Sequence, residues 1–237
     1  MLTDKSGERE LQSVISAHNV ELDSKMGGGL PTGSLTLIEG GSGSGKSVLS
    51  QQILWGALQD GFSASIFTSE NTVRSLVSQM EKLDLDILDF LLMRRCRIYP
   101  MALARLGENA LPALLSVLKQ QERDLVIIDS LTAAVMYATE SAPIIRFFEE
   151  CKHICSDGVS IIITLHAQGV SDEVLNPLRS MCDASLKLRV EQDGQRLVKT
   201  LEVTKVRGAA SVTGAVVGFD VEPGWGMRVI PISKARG

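Results

Sequence analysis

Residues 35–59 have the sequence LTLIEGGSGSGKSVLSQQILWGALQ, in which an apolar run, a glycine-rich stretch and a helix-forming run follow one another. The apolar run LTLIE predicts a short buried strand, and VLSQQILWGALQ predicts a helix. Between them, residues 40–47 fit the pattern G-x-x-x-x-G-K-[ST] at every defined position. A strand, a glycine-rich loop and a helix in this order predict a phosphate-binding loop. A flexible Gly/Ser linker is the alternative, but a linker has no reason to join a buried strand to an amphipathic helix.

The residue types of this loop suit a triphosphate together with its magnesium ion. Glycines allow successive backbone N–H groups to turn toward phosphate oxygens, and the following helix adds its positive end. Lys46 is expected to reach the β- and γ-phosphates, and the Ser47 hydroxyl is expected to bind Mg²⁺. We therefore predict an ATP and Mg²⁺ site formed by Gly40, Gly41, Ser42, Gly43, Ser44, Gly45, Lys46 and Ser47.

Two carboxylates follow other predicted strands. Asp129 ends the apolar run LVIID, and an acid at this place in phosphate-loop proteins holds magnesium directly or through water. Its alternative role is to cap the next segment. Glu70 follows the run SIFT at residues 65–68 and is the candidate catalytic group, able to orient water toward the γ-phosphate. A solvated loop acid is the alternative for Glu70.

Three further residues are candidates for contact with the nucleotide. His166 follows the predicted strand at residues 159–165, where it is placed to sense the γ-phosphate, although a satisfied histidine in the core or at its rim fits equally well. Gln168 competes with His166 for that role. Lys205 and Arg207 project to the same side of a strand and are expected to present charge to a phosphate, including that of a neighbouring subunit. A solvated charged edge is their alternative.

The remaining pattern predicts an α/β fold with a mostly parallel sheet, helices on both faces and an antiparallel C-terminal edge. Apolar runs without alternation are separated by helical segments at residues 73–83, 108–122 and 144–155. The last third predicts strands at residues 184–191, 196–205, 215–219 and 227–232, with a hairpin turn at residues 192–195. Residues 1–17 are predicted to be an N-terminal tail, and residues 18–237 to be one ATP-binding domain.

Composition limits the choice of compartment and partner. The 237 residues carry a net charge of −4, which argues mildly against nucleic acid as the main partner. Met1 to Val14 lacks the apolar core of a secretory signal, and no apolar run approaches the ~20 residues that span a bilayer. The four cysteines form no C-x-x-C pair, so we expect buried, reduced thiols and a cytoplasmic protein.

Several segments together resemble the KaiC-like branch of the RecA superfamily of P-loop ATPases. They are GGGLPTGS at residues 27–34, the phosphate loop after it, and TKVRG at residues 204–208. With TSENT at residues 68–72 and VIIDSLT at residues 126–132, the sequence is most similar to the FlaH proteins of the archaellum, the archaeal flagellum. The resemblance extends over residues 20–232 and covers nearly the whole chain.

The resemblance implies a RecA-like fold that assembles as a homo-oligomer, with a hexameric ring as the expected form. It also implies ATP-dependent docking with the archaellum motor ATPase and its ring-forming components, at the cytoplasmic base of the archaellum, without insertion into the membrane. By the same resemblance, Gly40 to Ser47 bind phosphate and magnesium, Asp129 binds magnesium, and Lys205 with Arg207 face a neighbour's nucleotide.

One departure from that family bears on catalysis. KaiC-like enzymes that hydrolyse ATP carry two adjacent glutamates after the second strand, whereas this chain has Glu70 followed by Asn71. An amide does not accept a proton as a base does, so we predict ATP binding with slow or absent turnover and a switch driven by nucleotide occupancy. An active ATPase that relies on Glu70 alone is the alternative.

A DNA-binding recombinase paralogue is a further alternative. Such a protein needs basic loops after the third and fourth strands, yet residues 133–145 contain no Lys or Arg. Residues 167–181 contain one arginine, Arg179, against Asp172 and Glu173. With so few cations for phosphates, nucleic acid is not the expected partner.

Overall fold

The computed structural model describes residues 13–193, 196–209 and 212–230 of the chain. Its strands are β1 (Val14–Ile15), β2 (Leu30–Pro31), β3 (Leu35–Gly40), β4 (Ala64–Thr68), β5 (Cys96–Pro100), β6 (Leu125–Asp129), β7 (Ser160–His166), β8 (Ala184–Asp193), β9 (Arg196–Val206), β10 (Val216–Glu222) and β11 (Gly226–Ile230). Its helices are α1 (Val20–Lys25), α2 (Lys46–Gln59), α3 (Val73–Lys82), α4 (Leu88–Leu92), α5 (Leu103–Leu106), α6 (Ala110–Leu118), α7 (Thr132–Met136), α8 (Ser141–Ser156) and α9 (Asp172–Met181). Short 3₁₀ turns occupy Gly107–Asn109 and Ala167–Gly169.

The strands of the main sheet lie in the order β11-β10-β9-β8-β3-β7-β6-β4-β5. From β8 to β5 every neighbouring pair is parallel. The pairs that involve β9, β10 and β11 are antiparallel. This confirms the predicted parallel sheet with an antiparallel C-terminal edge. Gly194 and Gln195 of the predicted hairpin turn, and Ile232 of the last predicted strand, lie outside the described residues.

Both faces of the sheet are covered, as the apolar runs predict. Along β6, Leu125 and Ile127 pack into one hydrophobic cluster, which also contains the buried face of α2. Val126 and Ile128 point the other way, into a second cluster with α6 and α8. Since successive side chains of a strand alternate between faces, a continuous apolar run is what a sheet covered on both sides requires.

Helix boundaries follow local capping where the sequence supplies it. Thr72 caps α3, and its side chain accepts a hydrogen bond of 3.1 Å from the backbone N–H of Ser75. The helix predicted at residues 108–122 is shorter than expected, since α6 ends at Leu118. Two segments treated as loops in the DNA-binding alternative contain helices, namely α7 and α9. Strand β5 was not predicted, because its residues CRIYP alternate weakly.

The N-terminal segment takes part in the fold before residue 18. Strand β1 pairs with β2, and Ile15 and Ala17 are buried. Part of the predicted tail therefore packs on the domain, whereas residues 1–12 lie outside the described residues. No helix in the described part of the chain has the length and hydrophobicity that crossing a membrane requires.

The four cysteines are buried and free, as the sequence predicts. Burial raises the pKa of Cys96, Cys155 and Cys182 to about 12.

Candidate functional site

The candidate site lies at one edge of the sheet, where the carboxyl ends of parallel strands meet. Gly40 of β3 pairs with His166 of β7, and Thr68 of β4 pairs with Asp129 of β6. Ligands of open α/β sheets bind outside these strand ends. A cavity of about 320 Å³ opens here, lined by Ser42, Gly43, Gly45, Lys46, Ser47, Val48, Glu70, His166, Lys199 and Val221.

The glycines of the loop are required by its backbone and by close packing. Gly43 and Gly45 have φ angles of 69° and 99°, in the left-handed region that favours glycine. A Cβ on Gly40 would lie 2.5 Å from the carbonyl oxygen of Leu188, so a side chain has no room there. Helix α2 begins at Lys46, within the last two residues of the loop, and its first turn lines the cavity.

Lys46 is folded back onto the loop. Its Nζ donates hydrogen bonds to the carbonyl oxygens of Gly40 at 3.1 Å and Gly41 at 2.7 Å. Burial lowers the pKa of Lys46, and the charges of Glu70 and Asp129 oppose that shift. The ammonium group is thus held at the loop by weak neutral acceptors, and a phosphate is a stronger partner for it.

Ser47 and Asp129 meet as a hydroxyl and a carboxylate. Ser47 Oγ donates to Asp129 Oδ1 at 3.2 Å, and Thr164 Oγ1 donates to the same oxygen at 2.6 Å. Asp129 is 1 % exposed. Burial raises the pKa of Asp129, while the hydrogen bonds from Thr164 and Ser47 lower it in part. Asp129 Oδ2 is buried without a hydrogen-bond partner among the described residues.

Glu70 stands at the open side of the cavity. Its side chain is 51 % exposed and lies 3.7 Å from His166 Nε2, measured from Oε1. Ser130 Oγ donates to Glu70 Oε1 at 3.0 Å, so the carboxylate is anchored from the end of β6. Asn71 is not among the residues that line the cavity, and its Oδ1 accepts a hydrogen bond of 3.2 Å from Ser75 in α3.

His166 and Gln168 both reach the loop region from the end of β7. The backbone N–H of His166 donates to Thr132 Oγ1 at 3.0 Å, which fixes the end of the strand. The Gln168 side chain lies over the loop, since a Cβ on Gly41 would come within 3.2 Å of its Nε2. Of these two candidates, His166 lines the cavity.

Lys205 and Arg207 do not line this cavity in the same copy of the protein. Lys205 Nζ donates to the carbonyl oxygens of Ser180 at 3.1 Å and Cys182 at 2.7 Å, at the end of α9. Arg207 pairs with Asp183 at 2.9 Å. The backbone N–H of Asp183 donates to Leu35, the first residue of β3, so this cluster lies at the opposite edge of the sheet from the loop.

Sequence reasoning missed several residues of the site. Thr164 lies inside the apolar run of β7, and Lys199 lies on β9 far along the chain; neither stands in a local motif. Glu39, directly before the loop, is 1 % exposed and forms two hydrogen bonds, of 2.9 and 2.7 Å, with the guanidinium of Arg179. A charged residue at the end of an otherwise apolar strand was the available signal for Glu39.

The residues present fit a magnesium triphosphate. The buried Ser44 Oγ and Asp129 Oδ2 have no hydrogen-bond partner among the described residues, so they are polar atoms that a ligand shell can satisfy. Ser47 and Asp129 offer the oxygen ligands that Mg²⁺ prefers. Lys46 and Lys199 supply positive charge on the cavity wall.

The sequence of this chain is similar to that of KaiC-like ATPases and of FlaH proteins. The sequence model of the ATPase family KaiC matches residues 18–234. The archaeal flagellar ATP-binding protein FlaH of Sulfolobus acidocaldarius is 29% identical over 229 residues, covering 94% of this chain and 99% of that protein. FlaH of Methanococcus voltae is 27% identical, with 88% and 93% covered.

Solved structures agree with the sequence comparison. The flagellar accessory protein FlaH from Methanocaldococcus jannaschii superposes with a TM-score of 0.82 at 25% identity, over 93% of this chain and 99% of that one. A KaiC-like protein from Pyrococcus horikoshii shares the fold with a TM-score of 0.73 at 22% identity, over 94% and 99% of the chains. The predicted RecA-like architecture is thereby confirmed.

Proposed function

The chain belongs to the KaiC family of ATPases, and from this membership we propose that it is an ATP-binding regulatory or scaffold component of the archaellum motor. In this proposal nucleotide occupancy switches its assembly or its docking to partners, and hydrolysis is slow or absent. The observation that carries the proposal is the convergence of Lys46, Ser47 and Asp129 at the loop. Buried polar atoms of Ser44 and Asp129 have no hydrogen-bond partner there within the part of the chain that the structure describes.

ATP binding follows from what these side chains do when an anion arrives. Lys46 exchanges two backbone carbonyl acceptors for charged phosphate oxygens, which are stronger partners. The loop N–H groups and the start of α2 favour negative charge at the same place. Gly40 and Gly45 keep the backbone close to Leu188 and Phe219, so the loop is already supported before binding.

Magnesium would be held by Ser47 and Asp129, which are already joined by a hydrogen bond. When bound, the ion supplies charge neutralisation for the β- and γ-phosphates. Thr164 donates to Asp129 Oδ1 and thereby orients the carboxylate, in the manner of the outer-shell partners that position metal ligands. Asp129 Oδ2, which accepts no hydrogen bond from the residues that the structure describes, is the oxygen left available to the ion.

Slow turnover is supported by the surroundings of Glu70. Its carboxylate is half exposed, which keeps its oxygens in water and limits their use as a base in a dry site. The second acid of hydrolysing relatives is replaced by Asn71, whose amide oxygen is occupied by Ser75. A protein that holds ATP without rapid turnover is suited to switching by occupancy.

An active ATPase is the second candidate, and one observation favours it. Glu70 lines the cavity, Ser130 anchors it, and His166 is 3.7 Å away. This arrangement orients a carboxylate toward the position of a bound nucleotide. A measurement of steady-state turnover separates the two candidates.

The archaellum assignment is supported by the FlaH relatives, which are named archaeal flagellar ATP-binding proteins. We propose the same setting for this chain: the cytoplasmic base of the archaellum, with the motor ATPase and ring-forming components as partners and a homo-oligomeric ring as its assembly. Capture of archaellum motor components from native extract by the ATP-loaded protein tests this setting, and capture of DNA-repair factors instead would contradict it.

Isothermal titration of the full chain with ATP and Mg²⁺ tests nucleotide binding. We expect Lys46→Ala to weaken binding at least about tenfold, because a charge-assisted hydrogen bond is lost. Lys119→Ala is the matched control, since Lys119 is half exposed and pairs with Glu150 away from the cavity. Equal affinities for wild type and Lys46→Ala would contradict the proposal.

Steady-state release of phosphate from the same preparations tests the switch. We expect low turnover in the wild-type protein and little further loss in Glu70→Gln. Rapid turnover that disappears in Glu70→Gln would instead establish the active ATPase.

A further inference from the structure

Two consecutive glutamines of α2, Gln51 and Gln52, are buried but differ in their hydrogen bonding. Gln51 is 0 % exposed and Gln52 is 4 % exposed. The Gln52 Nε2 donates to the carbonyl oxygen of Ala17 at 2.9 Å, and its Oε1 accepts from the backbone N–H of Met227 at 3.4 Å. Neither Nε2 nor Oε1 of Gln51 has a hydrogen-bond partner among the described residues. Gln52 therefore joins parts of the fold, whereas the amide of Gln51 does not.

The amide of Gln51 lowers the stability of the nucleotide-free protein. A buried polar group without a hydrogen bond has lost its contacts with water and has gained none in return. Other buried positions of α2 hold apolar side chains, which carry no such cost; they include Leu49, Ile53, Leu54 and Leu58. A polar side chain that is unfavourable to the fold indicates a partner that is present only in another state of the protein.

Gln51 lies on the side of α2 that faces the ends of the parallel strands. It follows Ser47 by four residues, and residues at this spacing lie one above the other on a helix. The Ser47 hydroxyl donates to Asp129 Oδ1 at 3.2 Å, which shows that this side of the helix faces the end of β6. Long side chains of a helix point back toward its N-terminus. The Gln51 amide is therefore directed toward Ser47 and Asp129 from one turn below.

The strand ends opposite this part of α2 carry buried polar side chains. Ile66 of β4 and Ile127 of β6 pack in the hydrophobic cluster that contains α2. Since side chains two residues apart on a strand share a face, Thr68 and Asp129 also face α2, and they pair across the two strands. Asp129 Oδ2 is buried and has no hydrogen-bond partner in the part of the chain that the structure describes. An unpartnered amide and an unpartnered carboxylate oxygen thus lie between the same helix and the same strands.

We propose that Gln51 is a positioning residue of the magnesium and nucleotide site, whose amide donates a hydrogen bond to the Asp129 carboxylate when ATP and Mg²⁺ are bound. An N–H donor favours the ionised carboxylate, which is the form that binds a metal. A carboxylate oxygen has lone pairs for two partners, so Oδ2 has room for the ion and for the amide. This inference rests on the proposed binding of ATP with Mg²⁺, and it adds a residue outside the loop motif that sets the effect of Mg²⁺ on affinity.

Titration of the full chain with ATP, once with Mg²⁺ and once with a chelator, tests the inference in Gln51→Met, which removes the amide and nearly keeps the volume. We expect Gln51→Met to bind ATP with Mg²⁺ about tenfold more weakly than the wild type, because a hydrogen bond to a charged group is lost. Its affinity in the chelator should equal that of the wild type. Lys46→Ala should instead weaken binding under both conditions, because Lys46 acts on the phosphates themselves.

Thermal unfolding of the nucleotide-free protein in a chelator separates a positioning role from a structural one. The Tm of Gln51→Met should equal that of the wild type or exceed it by up to about 4 °C, since the amide has no partner among the described residues to lose. Gln52→Met is the matched contrast and should lower Tm, because it removes the hydrogen bonds to Ala17 and Met227. A lower Tm in Gln51→Met would overturn the inference, and this comparison with the wild type stands even where Gln52→Met does not fold.

The titrations also separate this inference from the proposed function. A loss of affinity in Gln51→Met that is the same with Mg²⁺ and with the chelator, or no loss under either condition, would overturn the role of Gln51 and leave the phosphate site intact. ATP binding by the wild type that does not respond to Mg²⁺ would overturn this inference together with the magnesium site. Failure of the wild type to bind ATP under either condition would overturn the proposed function as well.

Nuclear magnetic resonance of side-chain amides gives a further readout in the wild-type protein. We expect the Nε2 protons of Gln51 to shift downfield and to exchange more slowly when Mg²⁺ is added to the ATP-loaded protein, while those of Gln52 stay unchanged. The spectrum of Gln51→Met identifies the Gln51 signal by its absence. A Gln51 signal that does not respond to Mg²⁺ would contradict the proposed hydrogen bond.

Discussion

Two buried aspartates of this protein have opposite electrostatic situations. Asp129 is 1 % exposed, Asp183 is 3 % exposed, and burial acts to raise the pKa of both carboxyls. For Asp183 the hydrogen bonds from Lys152 and the N–H of Leu35, with the charges of Lys152 and Arg207, outweigh burial and lower its pKa. For Asp129 burial is the largest effect, the hydrogen bonds from Thr164 and Ser47 and the charge of Lys46 offset it only in part, and its pKa stays raised. The buried charge of Asp129 therefore destabilises the nucleotide-free fold. Such a destabilising carboxylate is expected where its charge is balanced by a bound ligand and not by another residue of the protein.

We predict that Asp129→Asn stabilises the nucleotide-free protein by about 1 kcal/mol at pH 7, because it removes a poorly compensated buried charge. That corresponds to a rise in Tm of about 2–4 °C for a chain of this size. A raised folded pKa contributes stability below the unfolded value of about 3.9 and loses it as pH rises through the folded pKa. The advantage of the variant should therefore shrink as pH falls. Thermal unfolding with a chelator, at several pH values, measures this.

Asp183→Asn is the matched contrast and should act in the opposite direction. Its lowered pKa contributes stability above about 3.9 that is lost as pH falls through the folded pKa, so removing the charge costs about 2 kcal/mol at pH 7. Asp129→Asn should also weaken the binding of ATP with Mg²⁺. Destabilisation by both Asp129→Asn and Asp183→Asn, or by neither, would contradict the assignment of Asp129 as a carboxylate whose charge is balanced only by a ligand.

Among the elements, those with local signals were predictable from sequence. The loop, its preceding strand and α2 are contiguous in the chain, and Asp129 and Glu70 follow strands whose parallel neighbours end at the same edge. Their common location was therefore predictable once the sheet was known to be parallel.

Contacts that depend on the order and pairing of the strands were not predictable from the sequence. Thr164 meets Asp129 because β6 and β7 are adjacent, and Lys199 reaches the cavity because the antiparallel edge folds back beside β8. Helix α9 was also missed. It contains Pro177. The partly buried salt bridge from Arg179 to Glu39, which ties α9 to β3, leaves no pattern in the local sequence.

That salt bridge gives a prediction for α9. Arg179→Met should destabilise the protein by about 3 kcal/mol, because it leaves the buried Glu39 carboxylate without its partner. We expect the loss to appear as a fall in Tm of roughly 10 °C in thermal unfolding. The double variant Glu39→Gln with Arg179→Met should recover part of the loss, since the unpaired charge is gone.

Arg189→Met is the control for this substitution, because the pair of Arg189 with Glu202 is half exposed. A pair of that kind contributes at most about 1 kcal/mol. Equal losses of stability in Arg179→Met and Arg189→Met would show that the salt bridge between α9 and β3 contributes no more than an exposed ion pair.

For the whole molecule, the separation of the two charged sites is the main clue to assembly. The phosphate loop lies at the carboxyl end of β3, whereas Arg207 lies beside the residue that precedes β8, at the opposite edge. One chain does not bring Arg207 to its own cavity. A head-to-tail contact would do so, since it joins different surfaces of successive copies, and such contacts close into rings when the rotation allows.

We predict that Arg207→Ala weakens ATP-dependent self-association and leaves the affinity of dilute protein for ATP unchanged. Arg207 is 67 % exposed and tied to Asp183, so its guanidinium is presented outward on a fixed base, where a neighbour's phosphate is a stronger partner. Arg228→Ala is the matched control, because Arg228 is 61 % exposed and pairs with Glu222 on the edge hairpin. Native mass spectrometry with and without ATP measures the assembly, and calorimetry at low concentration measures affinity. Only a residue that acts across an interface changes assembly without changing the affinity for ATP. Identical assembly of Arg207→Ala and Arg228→Ala, or a monomer under every condition, would therefore contradict a role of Arg207 toward a neighbouring subunit.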